Sequence, residues 1–388
     1  MARWATESLA SVAEIATDKI RVSKLTAENY ISTENMLPDR GGVESATKLP
    51  PSGSVNEFLP GDVLFSNIRT YFKKVWQARW HGGASADVIV FRPTDYRKIE
   101  SKFLYYVLSN DAFINSTVTA SKGTKMPRGD KEAMLHFKFS LPPLPIQRRI
   151  AGILSAYDEL IENSQRRIKI LELMARAIYR EALGNNKALA TSCPFVESTF
   201  WRFVSENVTD YPGTKRYYAT ADIEGLAITG AGIDYSFADK PSRAQKQPIP
   251  NSVWFARMKD TYKIAWYGPQ NDDRVSGTVL SSGFAGFEAR DAELWPLLFL
   301  TISSKEFHVQ KDLYCTGATQ MSLTNEGLAR IIVPIPDEES ARWLGHNVGP
   351  MLNAIASLQS QNNNLRRTRD LLLPRLLSGQ IDVEAMSA

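Results

Sequence analysis

"LPPLPIQRRIAGILSAYDELIENS", Leu141 to Ser164, decides how the rest of the chain is read. Its closely spaced prolines fix φ and remove backbone donors, so the strand-like run before them ("FKFSLPPLP", Phe137–Pro145) must stop there. A heptad pattern follows at once. Ile150, Tyr157, Ser164, Leu171 and Ile178 recur every seven residues, and Leu154, Ile161, Ile168, Ala175 and Ala182 lie four residues after each. Nine of these ten positions are apolar or aromatic, the 3.5-residue spacing of a two-helix seam rather than of a broad amphipathic face. A second proline stop, "IIVPIP" (Ile331–Pro336), precedes a second seam. Its members are Leu344, Met351, Leu358, Leu365 and Leu372, with Val348, Ile355, Asn362, Arg369 and Leu376 four residues later. Each helix should run about 35 residues, roughly 50 Å at 1.5 Å per residue.

The chain also repeats itself. "VLFSNIRTYFKKVW" (Val63–Trp76) matches "VWFARMKDTYKIAW" (Val253–Trp266) at an offset of 253 − 63 = 190. Val63, Phe65, Lys73 and Trp76 pair with Val253, Phe255, Lys263 and Trp266, and Arg69 pairs with Lys259. Upstream, "YISTEN" from Tyr30 pairs with "YATADI" from Tyr218; downstream, "GTKM" ending at Met126 pairs with "GATQM" ending at Met321. The offset drifts steadily from 188 (218 − 30) to 195 (321 − 126), as a duplicated domain with small loop insertions requires. The period is too long for a solenoid, so two copies of a whole domain are expected. Two similar globular domains, 1–145 and 185–336, are expected to be separated by a long antiparallel pair of helices, 146–184 and 337–388, with pseudo-two-fold symmetry. With the helix centres opposed, facing residues have numbers adding to 526, which sets Ser164 against Asn362 and Tyr157 against Arg369. A lone buried Asn fixes register, and an arginine over a tyrosine ring gains cation–π attraction.

Composition bounds the function. The chain has 388 residues, 43% hydrophobic and 23% charged, ordinary for a soluble globular protein. Two cysteines, Cys193 and Cys315, exclude a disulfide framework and fit a reducing compartment. The N-terminal "MARWATESLA" lacks the apolar run of a signal peptide, and no segment is long and apolar enough to span a membrane, so a cytoplasmic chain is expected. The histidines His81, His136, His308 and His346 lack metal-ligand spacing, so no metal site is expected. The Pro-Pro pairs, Pro50-Pro51 and Pro142-Pro143, stand outside any Asn/Asp-Pro-Pro-aromatic methyltransferase loop, and no Walker A pattern occurs. A non-catalytic chain is expected, with no cofactor of its own.

The net charge is only +4, but the cations are clustered. Sequence-reading of DNA needs Arg, Lys, Asn or Gln at base edges and cations at phosphates. The first copy offers Asn67, Arg69, Tyr71, Lys73, Lys74, Lys122, Lys125 and Arg128. The second offers Arg257, Lys259, Tyr262, Lys263, Thr319 and Gln320. Two heads on a rod longer than one turn of B-DNA could span neighbouring major grooves. A scaffold whose two heads bind other proteins is the alternative reading of the same pattern.

Four stretches closely resemble the specificity subunits of type I DNA restriction-modification systems: "PGDVLFSNIRTYFKK" (Pro60–Lys74), "LPPLPIQRRIAGILSAYDELIE" (Leu141–Glu162), "GATQMSL" (Gly317–Leu323) and "LRRTRDLLLPRLLSGQIDV" (Leu365–Val383). With the two-copy order the resemblance covers essentially the whole chain. It implies an α/β (α+β) architecture in which each globular copy is a target-recognition domain reading one half of a bipartite, asymmetric double-stranded DNA site. The helices are then spacers that set the gap and dock two adenine-N6 methyltransferase subunits carrying S-adenosylmethionine. Two motor-nuclease subunits, which use ATP and Mg, join them in the restriction complex. The sequence departs from the family pattern after the second proline stop, where "DEESARWLGHN" replaces a Gln-Arg-Arg-Ile type of helix start.

Overall fold

The computed structural model describes residues 4–121, 123, 126–184, 191–269 and 272–383. The chain divides into two compact units, Met1–Ile161 with Asn363–Ala388, and Glu162–Asn362.

In the first unit, runs of β-branched and aromatic residues build two four-stranded sheets. One orders β2 (Ala13–Ile15), β9 (Val88–Pro93), β6 (Val63–Ser66) and β7 (Val75–Gln77), antiparallel throughout. The other orders β3 (Lys19–Arg21), β5 (Ser54–Phe58), β8 (Gly82–Ala84) and β4 (Tyr30–Ile31), with β4 parallel to β8. A separate pair joins β1 (Ala5–Ser8) to β10 (Lys138–Leu141). Strand β6 is buried on both faces. Val63 and Phe65 share a core with α1 (Ser101–Ser109) and α2 (Asp111–Thr119), while Leu64 joins Trp76, Val88 and Val90 against the second sheet. A short helix, α3 (Lys131–Leu135), follows.

The second unit rebuilds the plan. A pair joins β11 (Thr191–Pro194) to β24 (Ile332–Ile335). A sheet orders β12 (Trp201–Val204), β21 (Phe284–Ala289), β18 (Ser252–Ala256) and β19 (Ile264–Tyr267). A second sheet orders β16 (Ile233–Tyr235), β13 (Lys215–Tyr218), β20 (Thr278–Ser281) and β17 (Ala244–Lys246). Two small ladders, β14 (Ile223–Glu224) with β15 (Ala227–Ile228) and β22 (Cys315–Thr316) with β23 (Ser322–Leu323), are added. Its helices are α5 (Asp272–Ser276), α6 (Trp295–Ile302), α7 (Lys305–Leu313) and α8 (Asn325–Ala329). Strand β20 lies parallel to β13 and antiparallel to β17, just as β8 lies to β4 and β5. The fourth strand is where the copies part: β3 flanks β5 in the first unit, whereas β16 flanks β13 in the second. A Cβ at Gly286 would stand 2.4 Å from the Trp254 ring, so glycine there lets the indole of β18 lie over β21.

The duplication is real, but one matched pair slips. Val63 and Val253, and Phe65 and Phe255, occupy the same face in both units. Across the hairpin, Phe65 pairs with Val75 and Phe255 with Ile264, so the second loop is one residue shorter. The pairing of Trp76 with Trp266 therefore fails: Trp266 lies on the helix face and Trp76 on the opposite face, because a one-residue shift inverts a strand. For the same reason Lys74, not Lys73, is the counterpart of Lys263. Likewise Pro127 rather than Met126 stands opposite Met321.

The long helices are α4 (Leu144–Gly184) and α9 (Glu338–Leu377). Helix α4 starts directly after Pro142-Pro143, with Pro145 tolerated in its first turn. Gln147 explains its motif. Fully buried, it donates from Nε2 to Pro142 O at 2.7 Å and to Lys98 O at 2.8 Å, and its Oε1 accepts from Glu100 N at 2.9 Å. The divergent "DEES" is itself a helix start. Asp337 caps α9 by accepting from Ser340 N at 2.8 Å, which holds its carboxyl below the usual range, and Glu338 and Glu339 fill the first turn.

All the seam positions named from the heptads are buried or half-buried. Toward their ends the helices bury more than a seam: Ala151, Tyr179, Leu352, Ala356, Leu373 and Leu377 are also covered, the wider face of a helix packed on a globular core. In the first unit the start of α4 (Ile150, Leu154) shares a core with the end of α9 (Leu373, Leu376). In the second, the end of α4 (Ala175, Tyr179) shares one with the start of α9 (Leu344, Val348). The two helices therefore run antiparallel. Two expected contacts change. Arg369 bonds Asp158 rather than stacking on Tyr157, one residue from the expected register, because a carboxylate is a stronger partner for a buried guanidinium than a ring. Asn362 is buried, but its Oδ1 has no donor among the described residues, so the hydrogen bond expected from Ser164 to that oxygen is not formed.

Candidate nucleic-acid interface

Each unit brings two loops together at one end of its β6-type hairpin. In the first, the β6–β7 loop meets the loop before α3. Arg69 N donates to Pro127 O at 3.0 Å, Gly129 N to Asn67 O at 3.2 Å, and Ile68 and Arg128 form an isolated bridge. In the second, Lys259 N donates to Met321 O at 3.0 Å, and Met258 bridges Ser322. Arg69 and Lys259, matched in the sequence, are thus matched in space. So are Asn67 and Arg257, whose backbone N–H groups donate to Asp87 O at 2.8 Å and Gly283 O at 2.9 Å.

A family model described as "Type I restriction modification DNA specificity domain" matches residues 2–173. The chain is 20% identical over 310 residues to the type I restriction enzyme MjaVIII specificity subunit of Methanocaldococcus jannaschii, spanning 74% of this chain and 72% of that one. It is 26% identical over 171 residues to the type I restriction enzyme EcoDI specificity subunit of Escherichia coli, 41% of this chain and 36% of that one. A crystal structure of a type I restriction-modification S subunit from M. genitalium shares the fold, with a TM-score of 0.57 at 16% identity over 97% of this chain and 96% of that one. The chain is similar to the type I restriction-modification specificity subunits. A specificity subunit is the non-catalytic member of its complex, the one that recognises the DNA target.

In this chain the candidate residues fall into two groups. Arg69, Tyr71, Arg128, Thr319 and Gln320 are exposed, and Lys73 and Lys259 half-exposed. Tyr71 and its neighbour Phe72 stack at 4.7 Å and are 48% and 41% exposed, an aromatic tip on the hairpin. Arg128 pairs with Asp87 at 2.8 Å, and Lys73 with Asp111 at 2.8 Å. The second group is engaged by hydrogen bonds to the rest of the fold, Tyr262 while still exposed. Asn67 is buried. Lys74 Nζ donates to Thr33 O at 2.7 Å, and its counterpart Lys263 to Ile223 O at 2.8 Å; burial pushes the Lys74 amine down. Arg257 donates to Leu323 O at 2.9 Å and Asn325 Oδ1 at 2.8 Å. Tyr262 donates to Ser303 O at 3.1 Å and accepts from Arg176 at 2.7 Å. Lys122 and Lys125 lie outside the described residues.

The chain also carries residues at these loops that the sequence reading passed over. Arg40 and Asp111 brace the first hairpin, and Lys311 and Asp312 the second. Neither pair stands in a repeated motif. Lys311 sits in an ordinary amphipathic helix, and only the fold shows that it is fully buried. Among the described residues no group of three or more His, Cys, Asp or Glu is placed to hold a metal ion, and no helix is long and apolar enough to cross a membrane.

Proposed function

We propose that this chain reads a bipartite, asymmetric duplex site, with one half read by residues 1–145 and the other by residues 185–336. The observation that carries this reading is the rebuilt loop pair: two units of divergent sequence each present a cation, Arg69 or Lys259, from the same backbone position. Arg69, Tyr71, Lys73, Arg128, Lys259, Thr319 and Gln320 meet the DNA, as do Lys122 and Lys125 in the sequence reading. Asn67, Lys74, Arg257, Tyr262 and Lys263 support those loops. Conserving phosphate contacts while varying base contacts lets one scaffold read two different half-sites.

Segments 146–184 and 337–388 act as the spacer and dock two adenine-N6 methyltransferase subunits, which carry the S-adenosylmethionine. Exposed Ile170, Leu173 and Met174, spaced to share one face of α4, support a docking role. Two motor-nuclease subunits, using ATP and Mg, complete the restriction form, and the assembly works in the cytoplasm. The test is reconstitution with the methyltransferase. The complex should shift duplex carrying its site with an affinity that falls steeply with salt. Methyl transfer by this chain alone, or binding that ignores salt, overturns the reading.

A further inference from the structure

The loop that presents the cation is strained in both units, and each is held by a buried cation from a different part of the chain. In the first unit Asp39, Arg40, Arg69 and Lys73 all have left-handed backbones, with φ of 52°, 62°, 50° and 53°. Such residues persist only where their surroundings over-determine them, and they gather at working sites. Here the two loops hold each other: Asp39 N donates to Phe72 O at 2.9 Å and Arg40 N to Lys73 O at 3.0 Å. The Arg40 side chain, 6% exposed, then fixes the assembly. It donates from Nε and Nη2 to Ser109 O at 2.8 and 2.6 Å, and from Nη2 to Asp111 Oδ1 at 2.7 Å. That same carboxylate oxygen holds Lys73 at 2.8 Å.

In the second unit Gly225, at φ 57°, takes Arg40's backbone place, and its N–H donates to Tyr262 O at 3.0 Å. A glycine offers no guanidinium. The missing cation comes from α7, where Lys311 is 0% exposed. Its Nζ donates to Met258 O and Thr261 O at 2.8 Å each, and pairs with Asp312 Oδ1 at 2.9 Å. Asp312 Oδ1 in turn accepts from the N–H of Asp260, the left-handed residue of this loop at φ 56°, next to Lys259. The place of Lys311 in the first unit is taken by Thr117, which only caps its own helix through Ile114 O. A fully buried charge is costly and is tolerated when all its donors are used. This one spends two on the loop and the third on Asp312, which itself holds the loop at Asp260 N.

We propose that Arg40 and Lys311 are positioning residues, each fixing the reading hairpin of its own unit and so the fidelity of one half-site. The inference rests on the DNA-reading function proposed above. The test expresses the subunit with its methyltransferase in a host lacking adenine methylation and reads the methylated motif by sequencing. Four variants are compared with wild type: Arg40→Met and Asp111→Ala for the first unit, Lys311→Met and Asp312→Ala for the second. The aspartates lie toward the surface, so their variants keep the core intact if a buried change prevents folding. At a contacted base pair, discrimination should fall from roughly tenfold or more per mismatch to within about threefold, in one half only, with the aspartate variants still folded and melting in a cooperative transition. Unchanged motifs in the folded variants, or equal blurring of both halves, overturn the inference. A wild-type complex with no split motif overturns the DNA-reading function itself.

Discussion

Arg369 on α9 donates from Nη1 to Asp158 Oδ1 on α4 at 2.6 Å, while the Tyr106 hydroxyl donates to Oδ2 of the same carboxylate at 2.6 Å. One carboxylate thus ties both long helices to α1 within the first unit. Burial opposes the charge on Arg369, but Asp158 and Asp370 more than offset it and hold its pKa above the ordinary arginine value. Removing one partner of such a pair leaves an uncompensated buried charge. Asp158→Ala should cost about 3 kcal/mol of stability. Arg369→Met should cost less, because Asp158 is partly exposed and keeps Tyr106. Urea unfolding of both variants checks the order; equal losses below about 1 kcal/mol would leave the tie a surface pair in effect.

The two matched cations should behave as phosphate contacts. Replacing Arg69 or Lys259 with Ala should weaken DNA binding by the methyltransferase complex at every sequence tested, and lower the slope of log affinity against log salt by about 1. A change of preferred sequence with an unaltered salt slope would assign them to base edges instead.

Stability of the second unit should depend on pH through His308. Burial first, then the charge of Lys311 and to a lesser extent that of Arg176, push its imidazole down to about 4, against the opposing pull of Asp312 and the Ile302 backbone. The Tyr262 ring lies 4.7 Å away. The unfolded chain therefore binds more protons than the folded one between pH ~6.5 and ~4. The contribution is complete above that window and is lost as pH falls through it, by roughly 3 kcal/mol. His308→Phe should flatten the stability profile across that interval. A wild-type slope in that variant would place the titration elsewhere.

The spacer can be shortened in register. With Arg369 facing Asp158, facing residues have numbers adding to 527. Deleting 165–171 together with 356–362 removes one heptad from each helix, about 10 Å, or about 3 base pairs of B-DNA. The methylated motif should keep both half-sites and lose that much of the gap. A motif with altered half-sites and an unaltered gap would remove the spacer role.

Much of this was legible in the sequence, and the misses have physical causes. The heptads of α4 and α9 stand out because a seam must repeat over five turns, and "LPPLP" stops a strand by chemistry alone. The fold of each unit followed from the repeat. The match of Trp76 with Trp266 misled because one residue was lost inside a hairpin loop, where length is free. Residue type cannot report a register slip, and a tryptophan fits either buried face. The motif alone assigned Gln147 no role; only the fold shows it welding α4 to the α1 loop. Lys311 was unreadable for the same reason, since helix periodicity does not say that a lysine is fully buried with two donors on a neighbouring loop and one on the next residue.

The first unit is discontinuous, closed by residues 363–388, whereas the second is one unbroken segment. Leu373, Leu376, Leu377 and Val383 sit in the first unit's main core. A ribosome therefore delivers every residue of the second unit before it delivers the first unit's last core side chains. Domains usually mature in the order of synthesis; here the head begun first is completed last. A nascent chain paused before residue 363 would carry one finished head and one with an open apolar face, so a stop in those final residues should expose the N-terminal head to proteases while sparing the other.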